Sequence, residues 1–243
     1  MFGLSASPLA KAYLGPFVVF MALLGLGEIV SHFGDGLSAW WLADPIYWVF
    51  PLQTVVCGVL LIWWWRQYEF SSRRGGRWRA ANICLGIAAG VIALFVWVAP
   101  QEYFGVERRL GGFDLWYFGG GTAFKWNLLF RVLRLVIVVP LLEEIFWRGF
   151  LLRHLIRDPF DSVPFGTFTW SSFAWVTLFF GFAHWGDRMW PPGQDFWTAI
   201  ITSVLYNLLA VFTRSLGACV IAHAVTNLLL GLYIFQTQQW GFW

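Results

Sequence analysis

Charge is scarce in this 243-residue chain: Asp, Glu, Lys and Arg together make up 12% of it, where a soluble domain carries about a quarter. With 59% hydrophobic residues and a mean hydropathy of +0.64, that shortage excludes a water-soluble globule, whose one core could not hide so many apolar side chains. Cysteine is equally thin. Cys57, Cys84 and Cys219 fall one to an apolar segment with no CxxC pair, which argues against redox or thiolate-metal roles and for small buried hydrophobes. HExxH is absent, as are a phosphate-cradling loop, a haem site, an internal repeat and a low-complexity tract. The formal charge of +3 is small, and its basic loop reads as membrane topology and contact with anionic headgroups rather than nucleic-acid binding.

What is present is long and apolar. A helix needs about 20 apolar residues to cross the roughly 30 Å hydrocarbon layer. Such runs lie near 13–31, 46–65, 80–99, 127–148, 170–189, 196–213 and 216–235. The fold class expected is therefore an all-α polytopic membrane bundle of seven helices, forming one integral membrane domain over 1–243. An eighth span requires the short, glycine-rich "GFDLWYFGGGTAF" to dip into the bilayer. The eighteen tryptophans and seven tyrosines suit interfacial belts. A single Lys11 precedes the first run, which reads as a retained helix rather than a cleaved signal peptide.

Arginine placement predicts orientation. "RQYEFSSRRGGRWRA" carries Arg66, Arg73, Arg74, Arg77 and Arg79, Arg148, Arg153 and Arg157 follow in and after the fourth run, and Arg214 follows the sixth. These alternate with arginine-poor loops such as "SHFGDGLSAWWLADP", so a cytoplasmic N-terminus is self-consistent.

Against this background "VPLLEEIFWRGFLLRH" needs explaining, because an ionisable residue at the bilayer centre costs about 2.5–3.5 kcal/mol on insertion scales. Glu144 and Arg148 are four apart and share a helix face, so they can neutralise each other. Glu143 is turned about 100° away and is left free. Later runs add His184, four after Phe180, and His223, four before Asn227. Each of these alone reads as a helix-packing hydrogen bonder, but four polar residues in three spans suggest one shared site. If the fourth helix continues to about 155 and the fifth runs from 173 to 190, all four lie within about 5 Å of one depth.

Together these residues resemble the signatures of the CPBP (CAAX protease and bacteriocin-processing, or ABI) intramembrane proteases, which include the type II CAAX prenyl endopeptidases. The signatures read here Glu143-Glu144-Ile-Phe-Trp-Arg148, Phe180-Gly-Phe-Ala-His184 and His223-Ala-Val-Thr-Asn227, and they place a catalytic core at 127–235. The resemblance implies an intramembrane endopeptidase that acts on a membrane-associated protein or peptide. It implies that Glu143 and His184 activate water, that His223 and Asn227 donate to the oxyanion, and that Glu144, Arg148 and Phe180 support them. Metal-free chemistry is expected, with zinc held by Glu143, His184 and His223 as the alternative. "RLVIVVPLLEEIFWRGFLLR" and the terminal "HAVTNLLLGLYIFQTQQWGFW" are similar to a bacterial subset that accompanies exosortase systems processing PEP-CTERM proteins. That likeness implies the bacterial inner membrane.

Competing readings are a non-catalytic membrane scaffold or bacteriocin-immunity-type protein on the same fold, and a proton or solute transporter, since intramembrane Glu and His also build relays. Arg131 and Arg134, near the outer end of the fourth span, are expected to snorkel or pair with a carboxylate. Glu28, His32 and His154 are expected at interfaces or in solvent.

Overall fold

The computed structural model describes residues 7–71, 80–185 and 193–242, and among these residues the chain is helical with no strand. Arg73, Arg74, Arg77 and Arg79 of the basic loop and positions 186–189 of the predicted fifth span lie outside the described residues. Among the described residues five helices are long and apolar enough to cross a membrane. They are α1 (Pro8–Gly34), α2 (Ile46–Trp63), α3 (Ala80–Tyr103), α6 (Gln194–Thr213) and α7 (Leu216–Thr237). Between α3 and α6 lie α4, helical without a break over 122–154, and α5 (Trp170–Phe182). The seven form an integral membrane bundle. Its lipid-facing character shows in the large apolar side chains left outside, such as Phe33, Ile62, Trp63 and Phe212, each at least three-quarters exposed. The stretch 112–124 makes no eighth span. Up to Gly121 it is a loop whose Phe113 and Leu115 pack with Tyr47 and whose glycines Gly119 and Gly121 take positive φ, a conformation that no helix continues; its last three residues are the first turn of α4.

α4 departs from regular geometry twice. Leu133–Val138 and Ile145–Leu151 are π-helical, with α-helical Val139–Glu144 between them. Proline explains part of this. The Val139 N–H bonds the Arg134 carbonyl five residues back, so the next bond of the same register would run from residue 140 to Leu135. Pro140 has no N–H to give. The orphaned Leu135 oxygen instead accepts from Asn227 Nδ2 of α7 at 2.7 Å. α1 repeats the arrangement: Pro16 leaves the Ala12 carbonyl without its helical donor, and Tyr68 Oη supplies one at 3.1 Å.

α5 is shorter than expected. The predicted run to about 189 gives way to a helix ending at Phe182, with His184 just beyond it. The Ala183 N–H still bonds Phe179, but the His184 N–H reaches back only three residues to Gly181. That tightening frees the Phe180 carbonyl, which His184 Nδ1 takes at 2.8 Å. A thirteen-residue helix rises about 20 Å, less than the hydrocarbon thickness.

α7 is pressed hard against α3. A Cβ on Gly86 would sit 2.7 Å from the Ala218 carbonyl oxygen, and one on Gly90 2.6 Å from that of Ala222. Small residues four apart permit this approach, which in lipid is the main source of helix attraction. Arg66, Arg153, Arg157 and Arg214 all fall at the end of the bundle that holds the start of α1, as the alternation of helices requires.

Candidate active site

Glu143, His184, His223 and Asn227 border one cavity of about 300 Å³, enclosed by α1, α3, α4, α5, α6 and α7. Its apolar wall includes Phe17, Phe20, Met21, Leu24, Trp97 and Phe180. At roughly 30 Å³ per water the space holds several waters or a short peptide segment. Three polar atoms in its wall are buried with no hydrogen-bond partner among the described residues: Glu143 Oε2, Trp147 Nε1 and Thr202 Oγ1. Such atoms are costly to leave unmet, so together they mark where a polar ligand or water is wanted.

The two adjacent glutamates are treated differently. Glu144 is wholly buried, and its Oε1 accepts from Arg148 Nη1 at 3.1 Å and from His223 Nδ1 at 2.9 Å. Arg148, also wholly buried, donates from Nε to Asn207 Oδ1 at 3.1 Å and from Nη2 to Ser203 Oγ at 3.2 Å. Asn207 in turn donates to Thr177 of α5 at 3.1 Å. The Phe180 ring lies 4.8 Å from the guanidinium carbon and the Tyr206 ring 5.4 Å, so aromatic faces cover the cation. This network ties α4 to α5, α6 and α7. Glu143 stands outside it, with its carboxylate on the cavity.

Both imidazoles are held by Nδ1. A backbone carbonyl and an ionised carboxylate can only accept, so the hydrogen is on Nδ1 in His184 and in His223. In a neutral ring Nε2 is then the free, basic nitrogen. Phe180 serves His184 twice, through its carbonyl and through its ring at 4.6 Å between centroids. His223 is anchored through Nδ1 to Glu144, the carboxylate that also pairs with Arg148. Asn227 likewise commits one amide hydrogen to Leu135, with the second available to a ligand.

Arg134, expected either to snorkel or to pair with a carboxylate, is 6% exposed; it lines the same cavity and interacts electrostatically with Glu143. An α-helix would set residues nine apart on nearly opposite faces. The π turn at 133–138 rotates less per residue and brings Arg134 round. Arg131 is also buried, with its guanidinium carbon 4.8 Å from the Phe50 ring and 4.9 Å from Phe113. Ser203, Tyr206 and Asn207 were missed too, although Ser203 and Asn207 stand at the four-residue spacing that could have revealed a polar face.

His154 and His32 stay outside the cavity. His154 stacks on Phe150 and pairs with Asp158 at 3.7 Å, and His32 lies against Phe33. Cys57 and Cys219 are buried thiols and Cys84 is exposed. No group of three or more His, Cys, Asp or Glu among the described residues is disposed to hold a metal ion. Glu143, His184 and His223 share the cavity without forming a ligand set.

A polytopic helical membrane protein with a polar, partly unsatisfied cavity between its spans is the class that this fold and site define. Within it, residues 125–229 match the family model of the type II CAAX prenyl endopeptidases, Rce1-like. Comparison with curated proteins and with solved structures gives no match.

Proposed function

We propose that the chain is an intramembrane endopeptidase that hydrolyses a peptide bond of a membrane-associated protein or peptide. The observation that carries this reading is the single cavity bordered by a carboxylate with an unmet oxygen, two imidazoles fixed through Nδ1 and a carboxamide with an unused N–H. Glu143, with His184 Nε2, takes a proton from water as that water adds to the scissile carbonyl. The carbonyl oxygen gains negative charge, which the second amide hydrogen of Asn227 stabilises together with the His223 ring in its imidazolium form, whose Nε2–H is free while Nδ1–H stays on Glu144. The proton taken by Glu143 then passes to the leaving nitrogen. Glu144 and Arg148 act earlier, by fixing the helices that carry these groups.

The proton transfers are written for side chains alone, the metal-free reading being preferred to zinc held by Glu143, His184 and His223. The arginines gathered at one bundle end support a cytoplasmic N-terminus, and the sequence resemblance supports the bacterial inner membrane and a link to exosortase and PEP-CTERM processing. The whole of 1–243 is read as one membrane domain with its catalytic core at 127–235.

The test compares wild type with Glu143→Gln and His184→Ala in lipid nanodiscs, together with the membrane proteins that accumulate in cells carrying each variant. Each variant is expected to lose about 10²–10⁴-fold in cleavage while keeping its unfolding temperature. Wild-type cleavage by Glu143→Gln refutes the mechanism. Glu143-dependent ion flux with no proteolysis replaces it with transport.

A further inference from the structure

We propose that the end of the bundle holding the start of α1 carries a binding site for a phosphoethanolamine group, its phosphodiester against Arg66 and Arg153 and its ammonium against Asp161. The site lies apart from the active-site cavity and does not depend on the peptidase reading.

A second cavity, of about 370 Å³, opens there between the first turns of α1, the segment after α2 and the connection from α4 to α5. Arg153, at the end of α4, lines it and is only 3% exposed. Its Nε donates to the Gly149 carbonyl at 2.6 Å and its Nη1 to that of Val163 at 3.4 Å, while the Phe160 ring stands 4.8 Å from the guanidinium carbon. The nearest carboxylate, Glu69, stays 3.9 Å away, beyond hydrogen-bond length. A buried cation is thus anchored on the cavity wall without a counter-ion in contact, which is costly unless an anion completes it. Arg66 and Asp161 line the same cavity from the other two segments; both are exposed and make no ion pair of their own among the described residues. Tyr13 of α1 fixes the wall, its Oη donating to the Gln67 carbonyl at 3.3 Å and accepting from the Glu69 N–H at 2.9 Å.

Charge selects the ligand. The lining sets two guanidinium groups, Arg66 and Arg153, against two carboxylates, Glu69 and Asp161, so a plain anion or a plain cation meets its own sign there, and a zwitterion does not. The arginine fork matches two phosphodiester oxygens, and a carboxylate accepts from an ammonium that still carries N–H. A quaternary ammonium seeks open aromatic faces instead; the Tyr13 ring is 1% exposed, packed on Tyr68 and Phe160. Depth agrees. α1 has 27 residues and rises about 40 Å, roughly 10 Å more than the hydrocarbon. Trp63 and Trp65, 79% and 48% exposed just before Arg66, set the membrane interface at this end. Two sources supply the group, a membrane lipid or a soluble phosphodiester.

The test titrates the full chain, in a neutral maltoside detergent, with phosphatidylethanolamine, phosphatidylcholine, phosphatidylglycerol and soluble glycerophosphoethanolamine, read by native mass spectrometry and by unfolding temperature. An ethanolamine ligand is expected to bind wild type roughly tenfold or more tightly than the choline and glycerol lipids, and to raise the unfolding temperature. Binding of the ethanolamine lipid alone assigns the source to the membrane; comparable binding of the soluble compound assigns it to solution. Asp161→Asn should erase the advantage over phosphatidylcholine, and Arg66→Gln should weaken the ethanolamine ligand about tenfold. Both residues are exposed, so neither change threatens the fold. Tightest binding of phosphatidylglycerol reduces the site to attraction between basic residues and anionic lipid and overturns the proposal. Equal or undetectable binding of all four probes, or ethanolamine binding unchanged in either variant, overturns it too.

Discussion

Asn227 donates to the backbone oxygen of Leu135 at 2.7 Å, across the contact between α7 and α4. The bond fills the place of the N–H that Pro140 lacks, so the last residue of the third signature answers a defect three positions before the first. Asn227→Ala should therefore destabilise the fold by on the order of 0.5–2 kcal/mol, the range for interhelical hydrogen bonds in membranes, besides slowing cleavage. Pro140→Ala returns a backbone donor to Leu135. In unfolding experiments, the double variant should lose less than the sum of the single losses. Strict additivity would mean that the proline does not create the need for the amide.

The adjacent glutamates should behave oppositely. Glu144 and Arg148 are both wholly buried and joined at 3.1 Å, and removing one member of a buried pair typically costs about 3–5 kcal/mol. Arg148→Met or Glu144→Leu should fall in yield and unfold at a lower temperature, whereas Glu143→Gln should fold as wild type and fail to cleave. Thermal unfolding in detergent beside a cleavage assay makes the comparison. Equal stability of the two sets would remove the division of labour between neighbouring carboxylates.

Phe180 touches both halves of the site, with its ring 4.8 Å from the Arg148 guanidinium carbon and 4.6 Å from the His184 ring. Phe180→Leu keeps an apolar side chain but removes the aromatic face, a contact worth about 1–2 kcal/mol when desolvated. Cleavage should drop about tenfold, mainly through kcat, because His184 is loosened while the leucine still supplies an apolar side chain to the cavity wall. A change confined to KM would instead mean that Phe180 acts only as cavity wall.

The spans were legible because lipid demands long apolar runs, and the signature residues because intramembrane charge is costly and stands out. What α-helical periodicity could not reveal follows from its own assumption. Glu144 with Arg148 was found at the four-residue spacing, but Arg134 was left between snorkelling and pairing with a carboxylate, because nothing in "RLVIVV" announces the π turn that brings it to the cavity. The expected register of the fifth helix was not met: α5 is short, not long, and the Phe180 carbonyl near its end is capped by the His184 ring. Gln53 escaped notice because a glutamine carries no formal charge, and only its packing against α1 and α4 shows its use.

Geometry outside the cavity should control the cavity as well. Gly90 lies where a Cβ would stand 2.6 Å from the Ala222 carbonyl and 2.8 Å from Val225 Cβ, and Ala222 directly precedes His223. The first obstacle is backbone, which cannot rotate away as a flexible side chain does. Gly90→Ala must push α7 from α3, at a cost of about 1–3 kcal/mol for overpacking. Thr226 Oγ1, 2.9 Å from the Gly90 carbonyl and 2.7 Å from Tyr206 Oη, would be drawn along. That displacement pulls His223 away from Glu144 and Asn227 away from Leu135, so cleavage should fall more steeply than stability although residue 90 does not line the cavity. Gly25, with nothing within 4 Å of its Cβ position, is the control: Gly25→Ala should leave both activity and unfolding temperature near wild type. If Gly90→Ala were as harmless as Gly25→Ala, the α3–α7 contact would not be what holds His223 and Asn227 in register.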